Sequence, residues 1–457
     1  MEAELPKISL AEQLAGRIVR LRADTLPAAV RGKCEDLLID VVGLCLTARN
    51  EDYVTATLAG LDDDGPCTAI GHGRTLSSAG AALVNGTAAH GEDFDDTFEG
   101  GPVHAGAVIV PAVLAACERH GRGGPDALVG IAVGCEVMCR LSTVVPKAVH
   151  KAGFHPTAIF GAMGAAAGVG AALGLSEKQI VDALGIAGSM ASGIIEYLAE
   201  GTWTKRMHPG WAAQSGLRAA LFARAGFLGP RTVFEGVHGL FHGFAHTTKG
   251  DYDALIGDFA ERWVIETLAF KPYPCGTMAH PYIDCARRLA AKGIKPSDVK
   301  ELVCEVAEGT VHRLWEPLAA KRRPPNGYAA KFATPFILAT GFIKGGVGLD
   351  AFTPEAVQDP DVLALAAKVR YVIDPDNPYP NGFTGHIRAF MTDGQVFEER
   401  QPHFRGGAHE PLSRTDIEEK FALNARHGGW DATRGAAALT LLSKLYQGPI
   451  DLRSLRG

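Results

Sequence analysis

Residues 85–106 read NGTAAHGEDFDDTFEGGPVHAG. This run sets His90, Glu92, Asp93, Asp95, Asp96, Thr97, Glu99 and His104 between two apolar stretches, residues 79–84 and 107–116. Carboxylates this dense beside core-like helices are costly to bury unless paired or bound. A solvated acidic loop accounts for the run equally well when it is taken alone. The rest of the chain favours a site, because it supplies cations and histidines in similar glycine-flanked settings.

Outward from this loop the chain reads as helices. Residues 77–90 form a small-residue helix that delivers the loop, and 107–119 and 125–141 follow it. Ser9 and Glu12 make a capping box for a first helix with Leu10, Leu14, Ile18 and Leu21 on one side. A second helix spans about 27–48. Residues 158–175 carry no charge but are mostly Ala and Gly, so a buried helix is expected there rather than a membrane span. Ser176 and Gln179 cap a helix ending near Met190. The polar patch 200–209 interrupts the pattern, and a helix is expected from Gly210 to about Arg224.

Near Phe270 the period changes. Leu302, Cys304 and Val306 alternate with their neighbours, as do Val369, Tyr371 and Ile373. Residues 385–391 and 395–400 flank Asp393-Gly394, a hairpin signal. Helical pattern returns with a third capping box at Thr415 and Glu418. The fold class expected is mostly α with a smaller α+β domain. Residues 1–268, completed by 411–457, form the large helical domain, and 269–410 form an inserted α+β lid.

The totals bound the function. At 457 residues two domains are expected. Hydrophobic residues make up 47% and charged residues 21%, a soluble globular balance, and the net charge is -6 without a basic stripe, which argues against nucleic acid. The start, MEAELPKISLAEQ, has no basic region followed by an apolar run, so no secretory signal is expected. The nine cysteines include no C-x-x-C, so zinc-ribbon and iron–sulfur spacings are missing, and reduced thiols in the cytoplasm are expected.

Four clusters carry the chemistry. They are the acidic loop with His104; His155, just before a helix; Lys205, Arg206 and His208, also read as just before a helix; and 271–280, KPYPCGTMAH. Helix N-termini favour anions, and cations and histidines placed there suit a small substrate with several carboxylates. Asp93 would act as a base or orient a histidine. Singly, each element has a plainer reading: a capping histidine, a solvated charge pair, or Asp95 and Asp96 as caps. Their joint occurrence makes a site.

The motifs NGTAAHGEDFDDT, GFHPT, GTWTKRMHPGWAAQSG and KPYPCGTMAH, in this order, resemble the MmgE/PrpD family over nearly the whole chain. That family includes 2-methylcitrate dehydratase, cis-aconitate decarboxylase and iminodisuccinate epimerase. The resemblance implies a homodimer with its active site in an interdomain cleft, working without metal or organic cofactor. Carried over by motif, the site comprises Asp93, Thr97, His104, His155, Lys205 and Lys271. His208 and His280 follow as secondary candidates, with Arg206 among the substrate-binding groups. The chain departs from the decarboxylase pattern in three places. The spacing from Thr97 to His104 is one residue longer, Phe336 stands where that branch has Tyr, and Gly276 stands where it has a further His.

The function expected is therefore a cofactor-independent lyase acting on a small di- or tricarboxylate, like 2-methylcitrate dehydratase. The alternatives are an iminodisuccinate-type epimerase and a cis-aconitate decarboxylase. Two rivals from other classes remain. Residues 95–99 spell D-D-x-x-E, the pattern of magnesium-dependent isoprenoid synthases, but no second metal motif accompanies it. A non-enzymatic helical scaffold explains the Gly/Ala helices but not the ordered His and Lys motifs.

Overall fold

The computed structural model describes residues 7–457; the leader reading rests partly on residues 1–6, which lie outside the described residues. The fold is mostly α with a smaller α+β part. Two compact units divide the chain. The first runs to Gly91, resumes over Asp95–Ala269 and takes in Ser413–Gly457; the second comprises Glu92–Phe94 and Phe270–Leu412.

In the first unit, the helix Pro156–Ala172 is buried along nearly its whole length. Its small residues allow this. A Cβ on Gly164 would stand 2.7 Å from the Gly134 carbonyl oxygen of the helix Gly124–Val144, so the two backbones meet with no side chain between them. The second such crossing positions the site. A Cβ on Gly86, in the helix Ser78–Gly91, would fall 2.6 Å from the Gly210 Cα in the helix Thr204–Arg224. This close approach sets the distance between the helix that carries His90 and the helix that carries Lys205 and His208.

The longest uncharged stretch is thus a core helix, as its composition predicts. Gly124–Val144 is long and apolar enough to cross a membrane by length and composition alone, yet 94% of that window is buried inside the protein. It also carries Glu136 and Arg140, a buried ion pair at 2.5 Å.

Two expected boundaries move. The third capping box is built by Ser413 and Asp416, ahead of the helix Arg414–His427, two residues before the expected Thr415. This helix lies on Ala28–Ala48 through Lys420, whose ammonium is 2.7 Å from the buried Asp40 carboxylate. The helix expected from Gly210 begins at Thr204 instead. Lys205, Arg206 and His208 are therefore inside its first turns rather than ahead of it. Pro209 suggests a break because it has no N–H to return to the Lys205 carbonyl. The helix continues through it, its next residue being the glycine that meets Gly86.

The second unit is built on a four-stranded sheet in the order Val369–Ile373, Val299–Val306, Gly385–Met391, Val396–Gln401. The first pair is parallel and the others antiparallel. The hairpin turns at Asp393-Gly394, with Gly394 at φ 91°, a conformation glycine adopts freely. The helices His280–Ala291 and Thr334–Lys344 supply apolar side chains to one core with the sheet.

Candidate active site

In the first unit the histidines converge. His90 ends the helix Ser78–Gly91, and its Nδ1 lies 2.7 Å from Asp95 Oδ2, with both side chains fully buried. His104 follows the short strand Thr97–Phe98, which pairs antiparallel with Leu268–Ala269. Its backbone N–H donates to Thr157 Oγ1, and its ring Nδ1 lies 2.7 Å from the Asp96 carbonyl oxygen and 3.5 Å from Asp95 Oδ2. A carbonyl and a carboxylate only accept, so both rings carry their proton on Nδ1 and leave Nε2 as the basic atom when neutral.

Asp96 is spent on structure. Its carboxylate accepts from the Ala105 and Gly106 amides at 2.9–3.1 Å, at the start of the helix Gly106–His120. Burial, then the neighbouring Asp95 carboxylate, push the Asp96 carboxyl up to about 7 against those amides.

His155 is the residue before Pro156 at the head of the buried helix, and its side chain makes no capping bond. The ring is free to face its neighbours: Nδ1 is 3.1 Å from His208 Nδ1, and its centroid is 5.9 Å from that of His90 and 5.9 Å from that of Tyr197. Centroids of His90 and His104 are 4.9 Å apart, and those of His155 and His208 are 5.3 Å apart. Four imidazoles thus form a continuous row. Burial lowers His155 well below the ordinary value and His208 to about 4; the charges of His90, Lys205 and, for His155, His104 and His208 push the same way. Both rings are therefore neutral at neutral pH, the state in which an imidazole takes a proton. A hollow of about 470 Å³ lies at the His208 end of this row, lined by Ile194, Tyr197, Met207, His208 and Trp211 among others.

Lys205 is buried in this unit beside His155 and His208. The expectation of a solvated Lys–Arg pair, taken singly, does not hold for it. Arg206, half-buried, stacks its guanidinium 4.3 Å over the Tyr53 ring, and Thr97 is half-buried in its strand.

In the second unit two buried lysines hold residues 92–94. Lys271 Nζ donates to the Asp93 carbonyl at 2.9 Å and lies 3.5 Å from its carboxylate. Lys331 Nζ reaches the Glu92 carboxylate at 2.6 Å and the Glu92 carbonyl at 2.7 Å. Asp93 stands at φ 56°, left-handed backbone that a non-glycine residue adopts at a cost. His280 is buried between Tyr273 and Phe404, with Nε2 on the Cys275 carbonyl; burial and then Lys271 lower it to about 3.

His155, Lys205, His104 and His208 therefore come together in one unit, and Asp93, Lys271 and His280 in the other. Sequence reasoning passed over His90 as a site residue, along with Tyr197 and Lys331. His90 stands in the same polar run as Asp95, five residues before it, and that run was its signal. Nothing in the chain order pointed to Tyr197 or Lys331.

Among the described residues, His90, Asp95 and His104 form a trio whose donor atoms lie within 4.8 Å of one another. The donors are already engaged with protein. A ring nitrogen 2.7 Å from a carboxylate oxygen is hydrogen-bonded to it, whereas two ligands each about 2.0–2.2 Å from a shared tetrahedral ion stand farther apart than that. The trio is a hydrogen-bonded network.

The chain matches the MmgE/PrpD N-terminal domain over residues 12–253 and the MmgE/PrpD C-terminal domain over residues 273–440. It is 30% identical to the cis-aconitate decarboxylase of Homo sapiens, over 81% of this chain and 79% of that one. It is 29% identical to the Mus musculus cis-aconitate decarboxylase over 91% and 87% of the two chains, and 27% identical to that of Aspergillus terreus over 88% and 86%. With both family domains matched in order, the chain belongs to the MmgE/PrpD family, a family of lyase type.

Proposed function

We propose that this protein is a cofactor-independent lyase acting on a small di- or tricarboxylate, as a hydro-lyase of the 2-methylcitrate dehydratase kind. The observation that carries the reading is the row of four imidazoles, two of them held neutral, beside a buried lysine, with a hollow of about 470 Å³ at its His208 end. That volume lies in the range of small-molecule sites. A neutral imidazole takes the proton from a carbon next to a carboxylate. The freed electron pair forms the double bond as the hydroxyl leaves, and a second acid group gives that hydroxyl a proton, so one water is expelled. Lys205 stabilises the negative charge that builds on the substrate carboxylate.

Dehydration is favoured over decarboxylation by two departures. Phe336 is buried in the apolar core of the second unit and has no proton to give. Gly276 has no side chain, and a Cβ there would already touch Leu314 and Phe332 at 3.4 Å. Decarboxylation leaves a carbanion-like carbon that needs a positioned donor, worth roughly two to four orders of magnitude in rate. A second reading, epimerisation of an iminodisuccinate-like acid, draws on the same row, since a proton taken by one ring can return from another.

The test is a panel of 2-methylcitrate, citrate, cis-aconitate and iminodisuccinate followed by NMR. We expect an unsaturated tricarboxylate from 2-methylcitrate and no itaconate or CO₂ from cis-aconitate. Itaconate released near roughly one turnover per second, an ordinary enzymatic rate, overturns the reading. Exhaustive chelation is expected to leave turnover unchanged. We further propose a homodimer in a reducing cytoplasm. Nine free, buried cysteines suit that compartment, and exposed Ile194, Leu198, Trp203 and Trp211 offer apolar area to a second copy. Sedimentation equilibrium tests the dimer.

A further inference from the structure

One atom in the row has no role in the account above. His90 Nε2 is buried without a hydrogen-bond partner, while Nδ1 of the same ring is bound to Asp95. A buried polar atom left unsatisfied costs stability, and its retention in a site calls for a reason. The ring is held instead through Nδ1 and Asp95. The same carboxylate oxygen that accepts from His90 also stands 3.5 Å from His104 Nδ1. One carboxylate is thus divided between a fully buried imidazole and one whose side chain is 14% exposed.

We propose that His90 is a positioning residue that sets the basicity of His104 through the shared Asp95 carboxylate. The assignment rests on the proton-abstracting function proposed for this cluster. A hydrogen bond from His90 draws part of the carboxylate's charge away from His104. His104 then binds its proton less tightly than it would beside an undivided carboxylate, and it returns that proton readily. Other groups face His104 from each neighbouring element. Asp96 lies on its own loop, His155 and Thr157 at the head of the buried helix, and His90 at the end of its own helix. Lys205 and His208 act on His155 from the helix Thr204–Arg224, and Asp40, from the helix Ala28–Ala48, acts on Asp96. Asp96 also feels the Asp95 charge and His155 feels His90, so the assignment is read from the opposite directions in which the two substitutions move His104.

The experiment is an NMR titration of the histidine side chains in the full-length, ¹³C-histidine-labelled protein, with the His104 signal assigned by its loss in His104→Gln. His90→Gln removes the Nδ1 donor, returns the whole carboxylate to His104 and raises its pKa, by about one unit if one charge-assisted hydrogen bond is redistributed. Asp95→Asn removes the charge and lowers the His104 pKa. His90→Asn, whose amide reaches about where Nδ1 stood, keeps the donor and leaves the His104 pKa close to the native one; it also serves if His90→Gln fails to fold. In kinetics, His90→Gln moves the acid limb of kcat/KM upward in pH with KM little changed. A His104 pKa that stays put in both His90→Gln and Asp95→Asn, or that moves the same way in both, overturns the proposal. The titration needs no substrate. Failure of the native protein to turn over any acid of the panel would overturn the proposed function and leave the titration result standing.

Discussion

The histidine row of the first unit and the lysine pairs of the second solve opposite problems with buried polar groups. In the second unit each lysine has a full partner: Lys331 touches Glu92 at 2.6 Å, and Lys271 donates to the Asp93 carbonyl at 2.9 Å. A buried pair with good geometry fixes its atoms in place. In the first unit the rings face one another, two of them are held neutral, and His90 Nε2 is left without a partner. Groups that have not finished bonding to each other are the ones able to trade a proton. The difference separates polar groups that hold geometry from those left able to exchange a proton.

The largest effect should come from the row. His155→Ala is expected to lower kcat/KM by roughly a hundredfold or more, with the fold intact by circular dichroism. Near-native turnover would move the chemistry away from this ring. The lysine pairs should answer in stability first. Lys331→Ala removes the partner of the half-buried Glu92 carboxylate and should cost about 2 kcal/mol, read from urea unfolding. A loss well under 1 kcal/mol would show that the pair behaves as a surface ion pair, and the contrast between the regions would fail.

Acid separates the regions next. His155 and His208 have folded-state values below their ordinary 6.5. Their contribution to stability is therefore complete above about 6.5 and is lost as pH falls through the folded values, about 4 for His208. Asp96, raised from 3.8 to about 7, works in the other direction: its contribution is complete below its ordinary value and is lost as pH rises through 7. The lowered histidines, which include His280, His72 and His120, outnumber the raised carboxyls Asp96, Asp36 and Glu136, so stability is expected to rise from pH 4 to 6.5. Unfolding midpoints measured across that window should show a flatter rise in His208→Gln and a steeper one in Asp96→Asn. An unchanged slope in both would remove these groups from the account.

The smallest effect concerns Asp93. Its left-handed backbone should make Asp93→Ala about 1 kcal/mol less stable than Asp93→Gly, since both lose the carboxylate and only alanine keeps a Cβ at positive φ. Equal melting temperatures would show that the turn carries no strain.

Much of the fold was legible in the chain. The capping boxes at Ser9 and Ser176 stand where the S-x-x-E and S-x-x-Q patterns place them, because a cap is a local bargain between a side chain and amides three residues on. The switch from helical period to alternation marked the strands Val299–Val306 and Val369–Ile373 for the same local reason. The misplaced start at Gly210 shows the limit. Pro209 argues locally for a break, and the helix runs through it where its backbone is packed on neighbouring helices, at Gly210 against Gly86 and at Gly216 against Ala162.

The site divides along the same line. Residue types and motif order single out His104, His155, Lys205, His208, Asp93 and Lys271 as candidates, because the chemistry of a polycarboxylate calls for bases and cations. Which of them meet was decided in three dimensions. Burial turned Lys205 from a solvated cation into a buried one, set His155 against His208 at 3.1 Å, and gave Lys331 to Glu92 across 239 residues of chain. Asp95, adjacent in sequence to a cap, became the carboxylate shared by two histidines. Local patterns record what a segment prefers by itself. Hydrogen-bond partners and protonation states depend on which atoms exclude water from which others, and that is settled only when the helices close on one another.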